Sequence, residues 1–262
     1  MAEHGIIVDQ PAPRVRRIRI NVPERSNALS PAICRSLKAE LEAADADADI
    51  HVVIIGGTGG RSFCGGYDLS EVGSGVRDEP LQAVLSTLRS LGVPVVAAVS
   101  GHAVGAGFDL ACSCDLRVAR HDAKVGLPAV RLGVAYAAAG LSGIMARVPA
   151  ARRLLLTGEL VPAGKLAGFA DVLVEGSADD TDLAALELAD QLATAAPGAM
   201  AYMVAMIRPD ASKRLSEKQA RDWRDEILDS SDPAESARVR GTTQPPQFAA
   251  RKPKGPVIST DG

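Results

Sequence analysis

The 262-residue sequence predicts an α/β layered core, and three observations carry that prediction. The runs Val52-Val53-Ile54-Ile55 and Val95-Val96-Ala97-Ala98-Val99 are short, apolar and rich in β-branched residues, the pattern of strands covered on both faces. Each leads into a glycine-bearing turn, Arg61-Ser62-Phe63-Cys64-Gly65-Gly66-Tyr67-Asp68-Leu69 after the first and Gly101-His102-Ala103-Val104-Gly105-Ala106-Gly107-Phe108-Asp109-Leu110 after the second. Helical patterns follow, and repeated strand–turn–helix units imply right-handed crossovers.

The elements follow in order. Val15 to Val22 alternates arginines with Ile18, Ile20 and Val22, which predicts a half-exposed strand. Pro23 to Asn27 is a polar turn. Ser30-Pro31 opens a helix, with serine as N-cap and proline at the first helical position, and Ile33, Leu37 and Leu41 share one face. Asp45 to Asp49 end it. Gly73 to Asp78 predicts a loosely ordered stretch, Leu81 to Leu91 a helix, Phe108 to Ser113 a small-residue helix, and Leu116 to Ala119 a short strand. From Ala150 onward the pattern is helical, over Ala151–Leu156, Ala163–Gly168, Asp182–Ala195 and Ser216–Leu228. Ala196-Pro197-Gly198 interrupts it, which divides the chain into a core, residues 1–195, and a C-terminal helical region with an extended tail, residues 196–262. Four prolines beyond Gly241 predict a partly extended or disordered tail.

Composition excludes several function classes. A formal net charge of −3 gives no broad attraction to nucleic acid or to an anionic membrane. Aromatics at 3% provide no stacking surface for single-stranded nucleic acid. No window is long enough for a membrane span and no signal pattern stands at the N-terminus, so the expected location is cytoplasmic. Cys34, Cys64, Cys112 and Cys114 lack zinc-ligand spacing and a histidine pair, and are expected to be packed, reduced thiols with no metal bound.

The chemistry is expected at the two glycine turns. Both offer backbone N–H groups where the chain bends sharply, and two amides aimed at one point form an oxyanion hole for a carbonyl gaining negative charge. At these turns the chain resembles the crotonase superfamily, or enoyl-CoA hydratase/isomerase family. The likeness is carried by Pro23-Glu24-Arg25-Ser26-Asn27-Ala28-Leu29, Phe63 to Leu69, Gly105 to Leu110, Cys114-Asp115, and Thr157-Gly158, in matching order.

The resemblance implies a spiral of βββα units with a C-terminal helical region, assembly as a homotrimer or dimer of trimers, and an acyl-CoA thioester as substrate. Coenzyme A is then part of the substrate, and no separate cofactor is expected. By position, Tyr67 and Ala106 supply the oxyanion amides. Arg25, Asn27, Ala28, Gly66, Asp68, Leu69, Gly105 and Ala129 line the substrate pocket. Asp109 stands where family hydratases carry a first glutamate, one C–C bond shorter, roughly 1.5 Å.

The sequence departs from the hydratase pattern at the second glutamate, where Ala129 stands and cannot move protons. Water addition needs a base for water and an acid for the α-carbon. The family's isomerases and dehalogenases also need carboxylates near Ala129 or Ala137, and those are absent. Leu132-Gly133-Val134-Ala135-Tyr136 with Gly140 resembles a segment of methylmalonyl-CoA decarboxylases that carries an active-site tyrosine. The implied reading is a nominal enoyl-CoA hydratase; the alternatives are a decarboxylase of malonyl-type thioesters using Tyr136 and a non-catalytic acyl-CoA-binding subunit. Arg131 is a candidate partner for a substrate carboxylate or for Asp122. The basic cluster Arg251, Lys252 and Lys254 could reach the CoA phosphates of a neighbouring subunit.

Overall fold

The computed structural model describes residues 5–68, 79–208 and 215–248. Its main sheet contains β1 (Ile6–Ala12), β2 (Val15–Ile20), β3 (Val52–Gly57), β5 (Val95–Val99), β7 (Leu116–Arg120) and β10 (Val172–Val174), adjacent in that order. Only β1 and β2 pair antiparallel; the other neighbours are parallel. A second sheet joins β4 (Ser62–Cys64), β6 (His102–Val104), β8 (Lys124–Gly126) and β9 (Val161–Pro162), with β4, β6 and β8 parallel.

From β3 to β8 consecutive strands alternate between the two sheets, and a helix closes each turn of the spiral. β3 and β4 lead to α2 (Glu79–Ser90), β5 and β6 to α3 (Ala106–Ser113), and β7 and β8 to α4 (Ala138–Arg147). Each turn therefore contributes one strand to each sheet. The arrangement explains the sequence pattern: β3 and β5 are buried along their whole length and read as continuous apolar runs.

α1 (Pro31–Ala46) begins as its sequence predicts, the Ser30 hydroxyl accepting from the Ile33 amide at 3.2 Å with Pro31 in the first turn. It buries Ile33, Leu37 and Leu41 against α2 and the core. α6 (Ala178–Ala193) covers the opposite face of the main sheet, packing Ala185, Ala189 and Ala193 on Val52, Ile54, Val96 and Val118. α5 (Arg152–Thr157) follows α4, and α7 (Pro197–Ile207), α8 (Glu217–Leu228) and α9 (Asp232–Val239) complete the described chain. Pro197, expected as a breaker, stands in the first turn of α7, where its missing N–H has no intrahelical partner to lose.

The helix expected over Ala163–Gly168 is not formed. Ala163–Lys165 make a single 3-10 turn, after which Leu166 is extended and Gly168 turns at φ 74°. The stretch Gly73 to Asp78 and the basic cluster Arg251, Lys252 and Lys254 lie outside the described residues. Among the described residues no helix is long and apolar enough to cross a membrane. All four cysteines are free and buried, and burial pushes the Cys34, Cys64 and Cys114 thiols up to about 12, so they stay protonated near neutral pH.

Candidate active site

Eight of the expected site residues follow the carboxyl ends of three neighbouring parallel strands, where ligands bind in open parallel sheets. Gly66, Tyr67 and Asp68 follow β4. Gly105, Ala106 and Asp109 follow β6. Ala129 and Tyr136 follow β8. The β4–β6 and β6–β8 ladders thus bring together residues distant in sequence.

The first two turns touch. Gly66 (φ 119°) and Gly105 (φ 58°) both adopt backbone that side chains disfavour. A Cβ at Gly66 would stand 3.1 Å from the Val104 carbonyl oxygen and 3.7 Å from the Ala106 nitrogen. One at Gly107 would fall 2.1 Å from the Cys64 carbonyl oxygen, so α3 starts directly against the end of β4. Ala106 is the first residue of α3, where an N–H has no carbonyl a turn behind it and the helix dipole is positive.

A strap from residues 22–29 holds the Tyr67 turn. The Gly65 amide donates to the Ser26 carbonyl at 2.8 Å, and the Leu29 amide to the Gly66 carbonyl at 2.8 Å. The Asp68 amide donates to the Leu29 carbonyl at 2.9 Å. The Arg25 guanidinium forms an ion pair with Asp68, whose side chain is only 8% exposed.

Asn27 organises the strap from inside. It is fully buried at φ 56°, a conformation that asparagine tolerates better than most residues. Its side chain accepts from the Val22 amide at 3.0 Å and donates to the carbonyls of Thr58 at 2.9 Å and Ser62 at 2.7 Å. The bond from Val22 closes the strap on itself, and the bonds to Thr58 and Ser62 tie it to the β3–β4 connection and the start of β4. Ala28 is half-buried beside it, and Leu69 lies outside the described residues.

Asp109 is 1% exposed and stands three residues after Ala106, so the two lie on one face of α3. Burial raises its pKa to about 6, against the opposing pull of Tyr136, Arg89, Ser113 and Arg147. The Ser113 hydroxyl donates to Oδ1 at 3.5 Å. Gly140 in α4 makes room for the carboxylate and for Tyr136: a Cβ there would stand 2.4 Å from Asp109 Oδ2 and 2.9 Å from Tyr136 Cε1. Asp109 and Tyr136 therefore share one niche beside Gly140. Ala129 is half-buried at the start of a 3-10 turn, Ala129–Leu132, and packs on the core.

Other candidates have structural partners. Arg131 Nε donates to the Thr157 carbonyl at 2.7 Å, closing the end of α5, while Asp122 pairs with Arg120 instead. His102 Nδ1 accepts from the Lys124 amide at 2.9 Å, tying β6 to β8. Sequence reasoning did not single out Arg208. Buried after α7, it donates to Asp115 through Nε at 2.8 Å and Nη2 at 2.6 Å and to the Val93 carbonyl at 3.0 Å.

Spiral topology, with paired glycine turns beside the buried carboxylates of Asp68 and Asp109, belongs to the crotonase class of folds. Residues 12–244 match the family described as enoyl-CoA hydratase/isomerase, and the chain belongs to that family. It is 32% identical to a probable enoyl-CoA hydratase of Mycobacterium tuberculosis, with 96% of this chain and 97% of the relative covered. It is 34% identical to the 2,3-dehydroadipyl-CoA hydratase of Escherichia coli over 71% of this chain and 75% of that protein. A 36% match to the peroxisomal bifunctional enzyme of Danio rerio covers 72% of this chain but only 25% of that longer protein. An enoyl-CoA hydratase/carnithine racemase structure from Magnetospirillum magneticum superposes with a TM-score of 0.87 at 29% identity, covering 95% of this chain and 97% of that one. The fold is thus the crotonase spiral that the sequence resemblance implies, with C-terminal helices.

Proposed function

We propose that the protein binds an acyl-CoA thioester with its carbonyl oxygen on the Tyr67 and Ala106 amides and stabilises the enolate formed there. The close approach of Gly66 to the Ala106 nitrogen carries this reading. As the α-carbon gains electron density, charge moves onto the thioester oxygen, and two preorganised donors, that of Ala106 at a helix start, are worth more to that charge than to the neutral carbonyl. Asp109 is the proton-transfer group of the site, with a pKa near the neutral range where acid and base forms are both accessible.

The family name implies hydration of an enoyl thioester, which the Mycobacterium and Escherichia relatives carry in their names. With Ala129 in place of a second carboxylate, hydration is expected to be slow. A second reading is favoured by Tyr136 beside Asp109: decarboxylation of a malonyl-type thioester. That reaction reaches the same enolate by losing CO₂, and a phenol then supplies or orients the proton. Exposed Val130, Leu132, Val134, Leu156 and Leu160 around the third turn and α5 support self-association, as a trimer or dimer of trimers. The protein is expected to act in the cytoplasm with no cofactor beyond the substrate's own CoA.

Purified protein offered crotonyl-CoA and methylmalonyl-CoA, with loss of enoyl absorbance and release of CO₂ followed separately, tests these readings. CO₂ release without hydration selects decarboxylation. Tight binding with neither signal selects a non-catalytic acyl-CoA binder.

A further inference from the structure

We infer that Arg25 is a positioning residue: through its ion pair with Asp68 it fixes the direction of the Tyr67 N–H. The inference rests on the reading that this N–H receives the thioester oxygen.

The Tyr67 N–H and the Gly66 C=O belong to one planar trans peptide and point in opposite directions. The Leu29 amide holds the Gly66 carbonyl at 2.8 Å, so the Tyr67 N–H points away from the strap. The next peptide alternates: its Asp68 N–H turns back to the Leu29 carbonyl at 2.9 Å. Two hydrogen bonds to one residue thus bracket Tyr67.

This bracket is narrow. Leu29 and Tyr67 form an isolated bridge rather than a ladder, and Gly66 at φ 119° has the softest backbone in the turn. Rotation about the Leu29 contact would swing the N–H without breaking either strap bond outright. The Arg25–Asp68 pair opposes that rotation from outside the bridge, on the far side of Tyr67 from Gly66. The Asp68 side chain is 8% exposed and the Arg25 side chain 53%, so the carboxylate is seated while the guanidinium reaches over it from the rim. Arg25 itself ends a 3-10 turn, Pro23–Arg25, anchored by the Ser26 amide donating to the Pro23 carbonyl at 3.0 Å and by buried Asn27. The chain of restraint runs from Asn27 through Arg25 and Asp68 to the Tyr67 peptide.

The test uses 2,4-hexadienoyl-CoA, a conjugated thioester whose absorption moves to longer wavelength when its carbonyl is polarised. Binding is measured by calorimetry and polarisation by the spectral shift. Wild-type protein is expected to bind it with a red shift. Arg25→Gln, measured at a ligand concentration that saturates it, should lose most of the shift, and Arg25→Lys should recover part of it. Asp68→Asn keeps the shape of the carboxylate without its charge and should lose the shift as Arg25→Gln does; it decides the matter if Arg25→Gln fails to fold by circular dichroism. A full red shift in folded, ligand-bound Arg25→Gln or Asp68→Asn overturns the inference. So does loss of binding in Arg25→Gln with the shift intact in Asp68→Asn, because Arg25 would then be a ligand contact. Binding by the wild type without any shift overturns the oxyanion reading itself, and this inference with it.

Discussion

The carboxylate of Asp109 packs directly on the α-carbon of Gly140, so closely that a methyl group there would stand 2.4 Å from Oδ2. Gly140→Ala should therefore displace Asp109 or the Tyr136 ring, the atom 2.9 Å from the same point. The carboxylate is on a helix in the core and has little room to retreat. Overpacking of this kind costs about 1–3 kcal/mol. Urea unfolding should show that loss, and any turnover dependent on Asp109 should fall further than stability explains. An alanine variant with unaltered stability and activity would mean that the niche is looser than its geometry.

The raised pKa of Asp109 predicts a pH dependence of stability. Unfolded, the carboxyl titrates near 3.8; folded, at about 6. Between those values the folded chain holds the extra proton, so this contribution is full below the lower value and is lost as pH rises through the higher one. A shift of two units corresponds to about 3 kcal/mol. Asp109→Asn should be nearly neutral at pH 4 and stabilising at pH 7.5, while removing proton transfer. Urea titrations of both proteins across that range check it; parallel pH profiles would place the group responsible elsewhere.

The centre of the main sheet was legible because β3 and β5 are covered on both faces, leaving uninterrupted apolar runs, whereas its edge strands β1 and β10 were not read. The second sheet was not. Ser62–Cys64, His102–Val104 and Lys124–Gly126 are too short to show a period, and their pairing depends on residues brought together by the whole spiral. α4 was missed for a related reason: only Gly140 and Ile144 of its residues are buried, which leaves no apolar stripe. At the site, the glycine turns announced where the backbone bends. The place of Asn27 was legible as a turn residue, but its burial and its bonds to Thr58 and Ser62 arise only when β3 and β4 fold against the strap.

Asn27→Ala tests that strap. The substitution removes three hydrogen bonds and leaves the Val22 amide and the Ser62 carbonyl without this partner. At about 1 kcal/mol net for each bond, the loss is about 3 kcal/mol, with a further penalty for polar groups left buried. Asn27→Asp should also destabilise, because a carboxylate cannot donate to the two carbonyls. Thermal melting orders the variants; an alanine variant as stable as wild type would remove Asn27 from the chain of restraint leading to Tyr67.

Arg208 joins the end of α7 to the core, and its loss should be costly. Asp115 accepts from it twice and also from the Val95 amide at 2.9 Å, while both side chains of the pair are almost fully buried. Removing one member of a buried pair typically costs about 3–5 kcal/mol because the other charge stays behind. Arg208→Ala should therefore lower the urea midpoint sharply, and Arg208→Ala with Asp115→Asn should recover part of it. Recovery distinguishes a stranded charge from lost packing, since the double variant restores neutrality but not the original contacts.

Ala129→Glu asks whether a missing acid limits hydration. Ala129 is half-buried after β8, at the carboxyl end of the same sheet that presents Tyr67 and Ala106. A second carboxylate there would let one group activate water while Asp109 handles the other proton. General acid–base groups contribute about 100- to 10,000-fold, so even a poorly placed glutamate should raise the crotonyl-CoA rate measurably. Ala129→Gln is the control: it adds the bulk without the proton chemistry and should give no gain. Equal rates for the two variants would show that hydration is limited by something other than the absent carboxylate, and would favour the decarboxylation reading built on Tyr136.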